Sequence, residues 1–216
     1  MKMELSFTKI LLALLVFIGL MIAVRFIYSG GHGFVFLTWN LFLAWIPFVI
    51  STLFKKNALA QKWKQALVFV VWLIFFPNAL YIVTDLLHLD LETNIPKWYD
   101  VVLLFTASVT GLLMAFVSLL RVEKMIARQF SSTKVQFIMI GILFISSFGV
   151  YLGRFLRWNS WDVISNPAGL MYSIAQRCMF PFEYLQTWGI TAMLTTLFYL
   201  LYQAIKKLPD YLNQAI

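Results

Sequence analysis

Charge is scarce in this chain: Asp, Glu, Lys and Arg together make up 12% of its 216 residues. It has two histidines and a single cysteine, Cys178. One cysteine excludes an intramolecular disulfide, and its apolar neighbours Met179 and Phe180 point to a packing role. With so few histidines and no HExxH, a metal centre is not expected. A Walker loop, a dinucleotide fingerprint, a nucleophile elbow and a paired-histidine haem arrangement are all absent, so no cofactor is expected either. The Gly-rich Gly30-Gly31-His32-Gly33 lacks a Lys-Ser/Thr partner and reads as a turn. No stretch is long and polar enough for a separate soluble domain.

What is abundant is apolar surface: 62% of residues are hydrophobic, among them 21 Phe and eight Trp. A soluble domain of this size has too little interior to hide so much. The apolar runs match instead the roughly 20 residues a helix needs to cross a bilayer. A spanning β-barrel requires short alternating strands with a polar lumen face, which are not seen. The expectation is an all-α integral membrane protein, one transmembrane domain over residues 1–216. Six spans are predicted, at about 7–28, 34–54, 66–87, 99–120, 135–156 and 182–205. The first is long and lacks a convincing small-x-small site, so it reads as an uncleaved helix.

Basic residues set the predicted orientation. The loops after spans two and four hold Lys55, Lys56, Lys62 and Lys64, then Arg121, Lys124, Arg128 and Lys134. With Lys2, Lys9, Lys206 and Lys207, one side carries 12 basic residues against Glu4, Glu123 and Asp210, a balance of +9. The other side has five basic and six acidic residues, a balance of −1. This asymmetry predicts cytoplasmic termini (N-in, C-in) and explains the net charge of +8 without nucleic acid. In the last outer loop, Asn166-Pro167 predicts a helix start with Asn as cap. The short interfacial helix that follows would turn Leu170, Met171 and Ile174 to the membrane and Ser173, Gln176 and Arg177 to water.

Two polar clusters interrupt the oily background, PNALYIVTD at 77–85 and GRFLRWNSWD at 153–162. The charge count puts both on the outer side. Asn78, Tyr81, Asp85 and His88 recur at i, i+3, i+7 and i+10, one stripe of an α-helix. Pro77 removes a backbone donor and predicts a kink. In the second cluster, Gly149 and Gly153 allow close helix approach. Arg154 and Arg157 follow three residues apart, suited to binding phosphate or carboxylate. Trp158 and Trp161 add aromatic surface at headgroup level, and Asp162 offers a counter-charge or a general base.

A structural reading stands beside the functional one. Asn78 bonds the backbone that Pro77 frees, Tyr81 anchors at the interface, and His88 is a solvated side chain near the outer boundary. Asp85 or Asp100 pairs with Arg154 or Arg157 to lower the cost of burial. Asp85, His88, Asp90 and Asp100 also make a conceivable, though sparse, metal set.

PNALYIVTDLLHL, the WYD at 98–100 and YLGRFLRWNSWDV together resemble an uncharacterised bacterial family of multi-span membrane proteins, a domain of unknown function. The resemblance covers essentially the whole chain. It implies a multi-span protein of the bacterial cell membrane and supplies no activity, cofactor or catalytic residue.

The expectation is a membrane protein with an outward-facing site for an anionic lipid or cell-envelope intermediate. Arg154 and Arg157 would bind the anion and Asp85 and Asp100 orient them or handle a proton, with Asn78, Tyr81 and Asn159 completing the hydrogen bonds. The alternative is an accessory or scaffold subunit, bound to a membrane-protein partner, whose polar clusters lock helices together. A small transporter is a third reading: Pro77 offers a broken helix, but no repeat symmetry is present.

Overall fold

The structure is a computed structural model that describes residues 2–30, 33–54, 61–90 and 95–215. Gly31 and His32 of the expected turn, and Lys55 and Lys56 of the first basic loop, lie outside the described residues. So do the side chains of Lys2, Glu4 and Asp90. The elements run α1 (Lys2–Ser29), α2 (Phe36–Ile50) with a 3-10 turn (Ser51–Phe54), and α3 (Lys62–Tyr81) with a 3-10 segment (Ile82–Asp90). They continue with α4 (Lys97–Ile126), α5 (Ser132–Leu156), α6 (Asp162–Ser165), α7 (Pro167–Met179) and α8 (Leu185–Ala215). Among the described residues there is no strand.

Among the described residues six helical stretches are long and apolar enough to cross a membrane: Phe7–Ser29, Phe36–Phe54, Lys62–Leu89, Lys97–Ile126, Ser132–Leu156 and Leu185–Gln214. Each overlaps one predicted span, the second and sixth starting two and three residues later than predicted. Their outward faces are oily, with Ile10, Leu12, Val16, Leu20 and Ile27 of α1 all exposed. In water such a surface is an association hazard, whereas in a bilayer it is the lipid contact. Exposed Trp63 and Trp98 start α3 and α4, at opposite ends of the bundle, where amphipathic rings anchor at headgroup level.

α4 is the central helix, and small residues make it so. Ala107, Ser108, Gly111, Ala115 and Ser118 are buried along it at three- and four-residue spacing, which lets neighbouring backbones come close. A Cβ at Gly111 would stand 3.1 Å from the Ala79 carbonyl oxygen of α3. Mid-bundle, the fully buried Trp72 donates its indole N–H to Ser118 Oγ (2.7 Å), which donates to the Pro47 carbonyl of α2 (3.0 Å). Three helices are thereby tied by two hydrogen bonds, and the Trp72 and Ser118 donors are both satisfied.

Two local expectations change. The predicted α-helical stripe over 78–88 does not continue as one helix, because the chain tightens into 3-10 winding after Tyr81. Ile82, Val83 and Thr84 are β-branched, and Thr84 Oγ1 donates back to the Tyr81 carbonyl (2.6 Å), competing with the α-ladder. Ser108 Oγ of α4 bonds the Ile82 carbonyl (3.2 Å). At three residues per turn Asp85 and His88 still share a face, now offset from that of Asn78 and Tyr81.

α7 begins as predicted, with Asn166 Oδ1 accepting the Gly169 N–H (3.1 Å) and Pro167 in its first turn. Its faces differ from the prediction. Arg177 is buried rather than turned to water, donating to the Ser173 carbonyl (2.7 Å) with its guanidinium 4.8 Å from the Tyr184 ring centroid. Cys178 is exposed rather than packed.

Candidate functional site

Pro77 lies inside α3 and frees backbone acceptors in the preceding turn. Asn78 Nδ2 donates to the Phe75 carbonyl (3.0 Å), and Ser160 Oγ donates to the Ile74 carbonyl (3.5 Å). Asn78 Nδ2 also donates to Ser160 Oγ (2.8 Å). The glycines of α5 fit the same feature. A Cβ at Gly149 would sit 3.0 Å from the Pro77 ring, and one at Gly153 would sit 3.3 Å from the Tyr81 ring. The 77–85 and 153–162 segments therefore meet, with the GxxxG face of α5 as their contact.

Beyond Tyr81 lies an ionic network. Asp85 is 1% exposed. Its Oδ2 accepts from Asn40 Nδ2 of α2 (2.8 Å). Among the described residues its Oδ1 accepts no hydrogen bond, with Arg154 Nη1 at 3.6 Å and His88 Nδ1 at 3.9 Å. Arg154 reaches Tyr81 Oη (3.4 Å) and His88 Nδ1 (3.2 Å). His88 is only partly solvated, its side chain 28% exposed: it packs on Phe36 (centroids 4.8 Å apart) and edge-on to Phe34 (6.5 Å). A buried carboxylate oxygen without a donor costs about 1–3 kcal/mol, so its retention calls for an explanation.

Beside the network is a cavity of 390 Å³ between α2, α3, α5 and the α6–α7 segment. Leu73, Ile74, Ile145, Phe148, Leu170 and Ile174 give it apolar walls, while Asn40, Asn78, Tyr81, Asn159 and Ser160 supply polar groups. Asn40 and Tyr81 belong to both features: they line the cavity and contact Asp85 and Arg154 respectively.

Other candidates do not join this site. Asp100 pairs with neither Arg154 nor Arg157. It takes Arg25 of α1 in a two-pronged bond, Nε to Oδ1 at 2.8 Å and Nη2 to Oδ2 at 3.1 Å. Arg25 also donates to the Gly33 carbonyl (3.1 Å), and a Cβ at Gly33 would collide with its guanidinium. Arg157 ends α5 in the left-handed region (φ 61°), which breaks its expected register with Arg154. It is exposed, and it joins neither the network nor the cavity wall. Asp162 serves its own loop, accepting from the Asn159 backbone N–H (2.7 Å) and Ser165 Oγ (2.8 Å). Those bonds hold its carboxyl below the usual carboxylate range. Trp161 packs edge-on against the cavity-lining Trp39 of α2, which ties this loop to that helix. Among the described residues, no three of His, Cys, Asp and Glu come together to hold a metal ion.

Sequence reasoning missed Arg25 and Asn40. A lone arginine inside an apolar span, here one turn from its end, is a signal in itself, since it demands a partner. Asn40 offers no comparable signal, because a single amide near a span's end is unremarkable.

These features define a six-span helical membrane protein with a polar-ended cavity at one end of its bundle. The chain belongs to the DUF1361 family, whose model, described as a protein of unknown function, matches residues 39–201. Neither a curated protein nor a solved structure matches it.

Proposed function

We propose that this protein holds an amphipathic lipid or lipid-linked envelope intermediate in the cavity between α2, α3, α5 and α7. The observation that carries the reading is the cavity's division into an apolar wall and a polar end that abuts a buried, incompletely bonded ionic network. Pockets of this kind, with a few convergent polar groups on an apolar lining, are the usual form of small-molecule sites. The apolar part of the ligand lies along Ile74, Ile145, Phe148 and Ile174. Its head meets Asn78, Tyr81 and Ser160. Asn78 has spent its amide donor on Phe75 and Ser160, which leaves its oxygen as an acceptor for a ligand hydroxyl. Tyr81 Oη accepts from Arg154 and keeps its proton to donate. Arg154 behind Tyr81 supplies positive charge for an anionic head.

The distribution of basic residues supports cytoplasmic termini and an outward cavity in a single transmembrane domain, and the family resemblance supports a bacterial cell membrane. The test is native mass spectrometry of the full chain extracted from membranes in mild detergent. Wild type is expected to carry a bound lipid-sized molecule, and N78A/S160A to retain about tenfold less, the effect of about two hydrogen bonds. No bound molecule in wild type, or equal retention by the variant, would overturn the reading.

A second reading keeps the polar clusters as a helix lock in an accessory subunit. It draws support from the Asn78–Ser160 and Asn40–Asp85 bonds, which tie α3 and its 3-10 extension to the 158–162 segment and to α2. It leaves the unbonded Asp85 oxygen and the cavity without an explanation.

A further inference from the structure

At the opposite end of the bundle a second cavity, of 510 Å³, opens between the end of α4, the start of α5 and α8. We infer that it binds the phosphate headgroup of an anionic membrane lipid. Its walls divide by chemistry. Val135, Met139, Ala127 and Phe130 form an apolar side, and Gln136, Gln203, Lys206 and Lys207 a polar one.

The one acid in the lining does not repel an anion. Both Glu123 oxygens are occupied, one by the Tyr202 hydroxyl and the other by Lys206 Nζ. That pairing fixes Lys206 at the wall, and an ammonium carries three donors, so N–H groups remain for a phosphate. Lys207 forms no ion pair among the described residues and is exposed. Ser132, in the same wall, begins the 25-residue α5, and the preceding Ser131 makes no side-chain cap. The first amides of that helix thus have no side-chain cap from Ser131 and carry a positive partial charge.

Position completes the argument. α4 and α5 both reach their span limits here, at Ile126 and Ser132, which is headgroup depth. Arg121, Lys124, Arg128 and Lys134 flank this end in the sequence, giving it the charge that basic pockets between spans use for anionic lipid heads. The apolar side from Val135 to Met139 runs along α5 in the direction a lipid chain takes. This site is independent of the cavity beside Asp85.

The test extracts the full chain from vesicles of equal phosphatidylglycerol and phosphatidylcholine and quantifies lipid retained after detergent washing. Wild type is expected to enrich phosphatidylglycerol. K207Q, which leaves the Glu123 contacts intact, is expected to lower that enrichment about fivefold, and K206Q/K207Q about 25-fold. N78A/S160A, at the other cavity, is expected to leave it unchanged. Equal retention of both lipids by wild type, or unaltered phosphatidylglycerol retention in K207Q and in the double variant, would overturn the proposal. Loss of the retained lipid to millimolar inorganic phosphate would assign the site to soluble phosphate and overturn the lipid assignment.

Discussion

Two buried aspartates near the same end of the bundle are treated differently. Asp100 faces Arg25 with both oxygens bonded, and the pair is almost wholly enclosed, the two side chains being 8% and 2% exposed. Asp85 is enclosed too, yet it has one hydrogen bond, from Asn40, and its nearest cation stands 3.6 Å from the unbonded oxygen. The first arrangement fastens α1 to α4 and has nothing left to offer. The second leaves bonding capacity unspent beside a cavity, and an intramembrane charge of that kind is where function is expected first. Geometry, rather than the presence of a charged pair, separates a fastening from a site.

Breaking the fastening gives the largest expected effect. Asp100→Asn strips the charge from a buried pair and leaves Arg25 uncompensated, at a cost of about 3–5 kcal/mol. Thermal unfolding in detergent measures it, and a loss below about 1 kcal/mol would remove Asp100 from its structural role.

Crowding the contact between the two polar segments comes next. Gly149→Val puts a side chain against the Pro77 ring, and overpacking of this kind costs about 1–3 kcal/mol. The same unfolding assay reads it, and wild-type stability would show that α3 and α5 do not meet at that point.

Asp85→Asn sharpens the comparison from the other side. It keeps an oxygen for Asn40 and gives up a contact that is already long, so about 1 kcal/mol is expected. A loss equal to that of Asp100→Asn would make the Asp85 network a second fastening.

The smallest effect lies in the 159–165 loop. The Asp162 carboxyl, held low by the Asn159 amide and Ser165, stabilises the loop above the ordinary carboxylate range. That contribution is fully present at neutral pH and is lost only as pH falls through the lowered value, below about pH 4. Trp161 fluorescence followed on acidification is expected to show this late change in wild type and to lack it in D162N. An identical profile in D162N would detach the change from Asp162.

Much of this architecture was legible in the sequence, because six runs of bilayer length leave few alternatives, and Asn166-Pro167 names its own helix start. The meeting of 77–85 with 153–162 was legible as well, since Pro77 needs a partner and Gly149 and Gly153 offer room for one. The pairing of the charges was not. Asp100 has four arginines near its end of the bundle in sequence terms, and only packing brings Arg25 to it. The 3-10 winding after Tyr81 was half legible, since Ile82, Val83 and Thr84 are β-branched, while Ser108 taking the Ile82 carbonyl comes from another helix. Arg157 could not be excluded from the site in advance, as its left-handed backbone follows from where α5 stops.

The central claim is that the cavity beside Asp85 is occupied in the native protein, and Ile174→Trp tests it most directly. Ile174 lines the cavity from the peripheral α7, so the larger ring fills the space without entering the α4-centred core. Native mass spectrometry of the detergent-extracted chain is expected to show the bound molecule lost at least about tenfold, with wild-type thermal stability retained. Retention of the same molecule at the wild-type level by the stable variant would contradict the account.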